Sequence, residues 1–84
     1  MARLARVLEG DKLGKPLQRH PEFGDFHPIL INVRPHAPGK VVVFNNAVPG
    51  GVRVDGRTLY AGQNAVVSLG SDLVVGEETF RVIA

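Results

Sequence analysis

Cysteine and tryptophan are both absent from this 84-residue chain. Without thiols there is no disulfide and no thiolate metal centre, so the fold must rest on packing or on contacts with a partner. The same lack fits a reducing compartment. Long apolar runs are missing too: nothing approaches the ~20 consecutive residues that cross a bilayer. Met1 to Leu8 carries two arginines but no apolar stretch of signal-peptide length. The expectation is a soluble chain, cytoplasmic when synthesised, with no membrane partner. Charge of one sign is also scarce. Ten Lys+Arg against eight Asp+Glu leave +2, and the arginines are scattered from Arg3 to Arg81. Nucleic-acid binders gather such charge on one face, so a nucleic-acid partner is disfavoured.

What is present is β-branched and apolar, at 44% hydrophobic residues, cut by ten glycines and six prolines. That composition gives short strands and turns. The length sets one domain, residues 1–84, burying about 60–65% of its unfolded surface, an adequate but thin core. Residues 1–11 read as an N-terminal arm or an edge strand, since a helix stopped by Glu9-Gly10-Asp11 would be marginal. His20 to Pro28 reads as a loop pinned to the body by Phe23 and Phe26. Ile29-Leu30-Ile31-Asn32-Val33 is a strand, and Lys40 to Asn45 is a second, nearly all apolar, as expected for a buried one. Val52-Arg53-Val54 alternates and runs into Asp55-Gly56, the dipeptide of a type I′ hairpin. Thr58 to Tyr60 returns from that turn. Ala65 to Leu69, Asp72 to Gly76 and Thr79 to Ile83 complete about eight strands, which is a sandwich or barrel pattern.

Candidate chemistry is sparse. His20 and His27 share a loop with Glu22 and Asp25, but the spacing is not that of a zinc site and no metal is expected. His36, between Pro35 and Ala37, reads as a buried or capping turn residue. Asp55 and Asp72 are turn formers with no second carboxylate at acid/base spacing. Ser68 and Ser71 have no triad grouping, and Gly50-Gly51 lacks the setting of a phosphate loop. Neither an enzyme nor a cofactor is expected. Arg53 and Arg57 flank the hairpin tip, and the Phe23/Phe26 loop could lie beside them. Arginines and aromatics are favoured interface anchors, so Arg19, Phe23, Phe26, Arg34, Arg53 and Arg57 are the candidate protein-contact residues.

Four segments resemble the forkhead-associated (FHA) domain. Leu17-Gln18-Arg19-His20-Pro21-Glu22 is similar to its opening, and Val33-Arg34-Pro35-His36-Ala37 to its Ser-x-x-His segment. Gly50 to Gly56 is similar to Asn-Gly-Thr-x-Val-Asn-Gly, and Leu69 to Phe80 to the closing tail, the match being firmest in residues 50–83. The resemblance implies an all-β fold, a small FHA-like β-sandwich of short, mostly antiparallel strands. In the family a phosphothreonine is held by the Arg, the Ser and the Asn/Thr region. Here Arg19 is kept, while Val33, Gly50, Val52 and Asp55 stand at the other positions. A phosphate needs donors and positive charge, which valines do not supply and Asp55 opposes.

The scaffold without its reader implies a non-enzymatic module that docks onto a multi-subunit assembly. Starting at Met1 and ending on its last strand, the chain is expected to carry no fused effector. That favours a virion decoration (cement) protein at a phage capsid surface, with a capsid protein, or further copies of the chain, as partner. Alternatives are a docking domain of a bacterial secretion apparatus and a regulatory phosphothreonine reader resting on Arg19. A small RNA-binding module is the last, because Gly51 to Arg57 also echoes S4-type domains without their helices.

Overall fold

Apolar residues at alternate positions, broken every few residues by glycine, proline or Asx, leave the chain little choice but strands. The computed structural model describes residues 2–84. Its strands are β1 (Arg3–Val7), β2 (Leu13–Pro16), β3 (Gln18–Arg19), β4 (Asp25–His27), β5 (Ile31–Pro35) and β6 (Lys40–Asn45), followed by β7 (Val52–Val54), β8 (Arg57–Leu59), β9 (Asn64–Ser68), β10 (Asp72–Val75) and β11 (Glu78–Ile83). One short 3-10 turn at Glu9–Asp11 interrupts them. Among the described residues no helix is long and apolar enough to cross a membrane.

The strands form two antiparallel sheets, a six-stranded one in the order β2-β1-β11-β10-β7-β8 and a five-stranded one in the order β3-β4-β5-β6-β9. The inward rows meet in one core. Leu4, Val52, Val54, Leu73, Phe80 and Val82 come from the first sheet. Phe26, Ile31, Val33, Val41, Val43 and Val67 come from the second. The chain is therefore an all-β sandwich, as the composition required.

Three expectations need correction. Residues 3–7 are neither an arm nor an edge: β1 lies between β2 and β11, with Arg3 opposite Ile83, and both Leu4 and Ala5 are fully buried. The segment His20 to Pro28 is not all loop, because Asp25–His27 is β4, paired with β3 and β5. And β6, expected to be buried, is buried along one face only. Val41, Val43 and Asn45 point inward while Val42 and Phe44 are only half-buried. A two-layer sandwich covers one face of each sheet, so an apolar run still alternates.

Asn45 is the polar residue at the centre of this arrangement, with no exposed surface. Its Nδ2 donates to the carbonyls of Val48 (3.3 Å) and Leu59 (2.8 Å), and its Oδ1 accepts from the Val48 N–H (2.8 Å). Every hydrogen-bonding site of the amide except spare lone-pair capacity is thus used. The bonds reach from β6 in one sheet to the end of β8 in the other. Between them the chain changes sheets, and Gly51 makes the change possible. Gly51 has φ +87°, and a Cβ there would lie 2.6 Å from Thr58 Cγ2 and 3.2 Å from the Leu59 carbonyl oxygen. The β7–β8 hairpin then turns on Asp55 (φ 50°) and Gly56 (φ 74°), the paired positive angles of a type I′ turn.

Gly51→Ala and Gly56→Ala separate these two demands. At Gly56 the added methyl meets nothing within 4 Å, so the loss is the left-handed backbone strain alone, roughly 1–2 kcal/mol. At Gly51 the clash adds to the strain, and the loss in urea-denaturation stability should be larger by at least about 1 kcal/mol. Equal losses would show that the close approach to β8 carries no energy.

Candidate protein-interaction site

Inward Phe26, Ile31, Val33 and Val43 place their neighbours on the opposite face of the five-stranded sheet. Register then aligns Asp25 with Asn32, Asn32 with Phe44 and Arg34 with Val42. The loop of residues 20–24 folds over this face and buries Asp25 and Asn32. The loop is held by its own backbone: the His20 N–H donates to the Asp25 carbonyl, and the Gly24 N–H to the His20 carbonyl at 3.1 Å.

The polar side chains beneath the loop satisfy one another. Asn32 Nδ2 donates to the Phe23 carbonyl (3.0 Å) and to Asp25 Oδ1 (3.2 Å). Asn46 Nδ2 donates to the same carboxylate oxygen. Asn32 Oδ1 in turn accepts from Arg34 Nε at 3.1 Å. The Arg34 guanidinium lies over the half-buried Phe44 ring, 5.4 Å from its centroid. With Nε tied and one face stacked, its terminal nitrogens are presented in a fixed orientation, which lowers the entropy lost on engaging a partner.

Phe23 stands above this group, 67% exposed. Its ring stacks on His20 with centroids 4.7 Å apart. His20 Nδ1 accepts from the Glu22 and Phe23 N–H groups (3.1 and 3.3 Å), so the proton of the neutral ring sits on Nε2, free to donate. Together Arg19, His20, Glu22, Phe23, Asn32 and Arg34 line a shallow depression of about 550 Å³.

Of the six contact residues expected from sequence, three meet here: Arg19, Phe23 and Arg34. Arg19 is chiefly structural. It covers the Phe26 ring at 4.8 Å, and its Nη1 donates to the Ala2 carbonyl at 3.2 Å, tying the two sheets together. Phe26 is not a contact residue: it has no exposed surface and belongs to the core. The pairing of Phe23 and Phe26 as anchors of one loop is corrected accordingly, Phe26 pinning the segment and Phe23 facing outward. Arg53 and Arg57 are exposed, but they belong to the other sheet. They line a separate depression of about 280 Å³ with Asp55 and Asp72. Asp72 is already engaged by Arg81, through Nε to Oδ1 at 2.8 Å and Nη2 to Oδ2 at 3.2 Å. That hydrogen bond and the carboxylate charge raise the Arg81 pKa above its usual value. The stabilisation behind a raised arginine pKa is lost only as pH climbs through that pKa, so the guanidinium keeps its charge towards Asp72 throughout the neutral range.

Val33 and Val52, at the positions where the family resemblance expects phosphate ligands, face the core at 1% and 0% exposure. His36 is exposed in the β5–β6 turn rather than buried. Among the described residues no group of three His, Cys, Asp or Glu is gathered as a metal site. Comparison with protein-family models, curated proteins and solved structures found no match.

Sequence reasoning missed Asn32, Asn46 and Phe44. The signal for Asn32 was there, since it lies two residues before Arg34 in a strand and so shares its face. Asn32→Ala removes the bonds to Phe23, Asp25 and Arg34 at once. It should cost roughly 1–3 kcal/mol and accelerate hydrogen exchange at the His20 and Gly24 amides. Arg53→Ala, on the other sheet, should stay within about 0.5 kcal/mol of wild type.

Proposed function

We propose that the chain is a non-enzymatic docking module that engages a partner protein through the depression lined by Arg19, His20, Phe23 and Arg34. The observation that carries this reading is the preorganised Arg34, held by Asn32 and stacked on Phe44 beside an exposed, stacked Phe23. Rigid arginines and aromatics are the residues that dominate protein interfaces. A carboxylate on the partner suits the Arg34 fork, with an apolar side chain against Phe23.

The FHA-like character is supported by the order of elements. Arg19 closes β3, His36 follows β5, Gly50 to Gly56 runs into the β7–β8 hairpin, and Leu69 to Phe80 runs through β10 into β11. A small sandwich that binds by its surface suits addition to a larger assembly, and a capsid surface is the setting we favour.

A photo-reactive phenylalanine placed at Phe23 should give a discrete cross-linked product in cells that make the protein. The same probe at Arg57, on the other sheet, should not, and Arg34→Ala should suppress the product from position 23. Equal products from both positions would reject the site. Titration with phosphothreonine peptides tests the reader alternative: binding below about 10 µM that Arg19→Ala abolishes would replace docking with phosphopeptide recognition.

A further inference from the structure

The five-stranded sheet ends on β9, which pairs with β6 alone. An edge strand offers unpaired N–H and C=O groups, and natural proteins guard such edges with charge, proline or brevity. Three of the four edges here are guarded. β2 contains Lys15 and Pro16, β3 is two residues long and contains Arg19, and β8 is three residues long and contains Arg57. β9 has none of these devices. It runs for five residues, Asn64-Ala65-Val66-Val67-Ser68, with no charge and no proline, and Val66 is 46% exposed.

The ladder identifies which groups are free. The Asn45 N–H donates to the Gln63 carbonyl, and the Asn45 carbonyl accepts from the Gly62 N–H. Asn45 therefore turns its backbone groups towards β9, and so do Val43 and Val41, two and four residues earlier. Their partners Ala65 and Val67 are the hydrogen-bonded ones. Asn64 and Val66 direct their N–H and C=O groups away from the sheet, and Ser68 its N–H, the Ser68 carbonyl accepting from the Ser71 N–H at 3.1 Å. The Asn46 N–H bonded to the Leu30 carbonyl on the opposite side of β6 agrees with this alternation.

We propose that β9 is a self-association edge, at which two copies of the chain pair antiparallel about a two-fold axis through Val66. The second copy is favoured over an unrelated strand because the segment is self-complementary. About that axis Val66 meets Val66, Ala65 meets Val67, and Asn64 meets Ser68, so the polar–apolar–polar pattern matches itself. The Val66 pair exchanges two backbone hydrogen bonds, and each Asn64–Ser68 pair can add one more, from the Ser68 N–H to the Asn64 carbonyl. Charge causes no conflict. Lys40, whose Nζ bonds Ser68 Oγ at 2.7 Å, falls in a row with Asn64 and Phe44 of the second copy. Arg34 lies two strands further in, beyond Val42. Pairing joins two five-stranded sheets into one of ten and removes the unguarded edge. The contact is separate from the depression around Arg34, which lies towards the opposite edge of the sheet, and the inference stands without the docking reading.

A single strand pair buries less than the roughly 1,200 Å² of a standard interface, so the dimer forms in a concentration-dependent way. Sedimentation equilibrium across a concentration series should give a monomer–dimer equilibrium for the wild type. Val66→Lys sets like charges opposite each other across the axis and should weaken dimerisation at least about tenfold, whereas Val66→Thr should retain it. Because Val66 faces solvent, thermal melting of the dilute Lys variant should match that of the dilute wild type, which separates lost pairing from lost folding. The natural lack of cysteine makes Val66→Cys a clean probe. Hydrogen-bonded partners lie ~5.5 Å apart at Cα, within disulfide reach. Val66→Cys should oxidise to a covalent dimer faster than Leu13→Cys on the guarded β2 edge. A wild type that stays monomeric at its highest soluble concentration, or equal cross-linking at the two positions, would overturn self-pairing. Such a monomer would leave β9 to an extended segment of another protein.

Discussion

The side chain of Asn45 holds the two sheets in their relation to one another. It is a buried amide at the point where the chain leaves the five-stranded sheet for the six-stranded one, and its partners come from both. Val48 fixes the start of the crossing and Leu59 the far end of the hairpin that follows. Its backbone, bonded to Gly62 and Gln63, sets where β9 begins. A buried polar group left without partners costs more than a hydrogen bond contributes. The loop, the hairpin and the return strand are therefore not independent choices. They share one amide.

Three arginines lie over phenylalanine rings, and the difference between them separates structure from function. Arg6 covers Phe80 and Arg19 covers Phe26, both rings fully buried. These guanidiniums close the margins of the core, where a thin sandwich would otherwise let water reach its largest side chains. Arg34 covers Phe44 on the outer face, where there is no core to close. Its stacking serves to hold the guanidinium still, and that is why the proposed interaction surface is placed around it.

The hairpin at Asp55-Gly56 was legible residue by residue, because positive φ at both positions is a local demand that few dipeptides meet. The all-β class was equally plain from valine, glycine and proline. The candidate site was only half legible. Phe23 and Phe26 are alike in sequence, three residues apart, yet the ring of Phe26 is fully buried and that of Phe23 largely exposed. What distinguishes them is the pairing of β4 with β5, a contact no local window contains. The asparagines were silent for a related reason. Asn32, Asn45 and Asn46 look like turn residues, and their value comes from carbonyls and a carboxylate supplied by other segments. β6 misled because valine on a half-open face reads like valine in a core.

The first strand of the chain lies between the second and the last, with Arg3 opposite Ile83 and Arg6 opposite Phe80. Leu4 and Ala5 therefore reach their final surroundings only after the residues numbered in the eighties have been made. Contacts so distant in sequence are slow to form because chain closure must precede them. During synthesis the five-stranded sheet, with its near-neighbour pairings, can assemble early, while β1 waits unpaired on one side for β11. Contact separation alone would thus have the sheet that carries the proposed interaction surface mature before the sheet that closes over it.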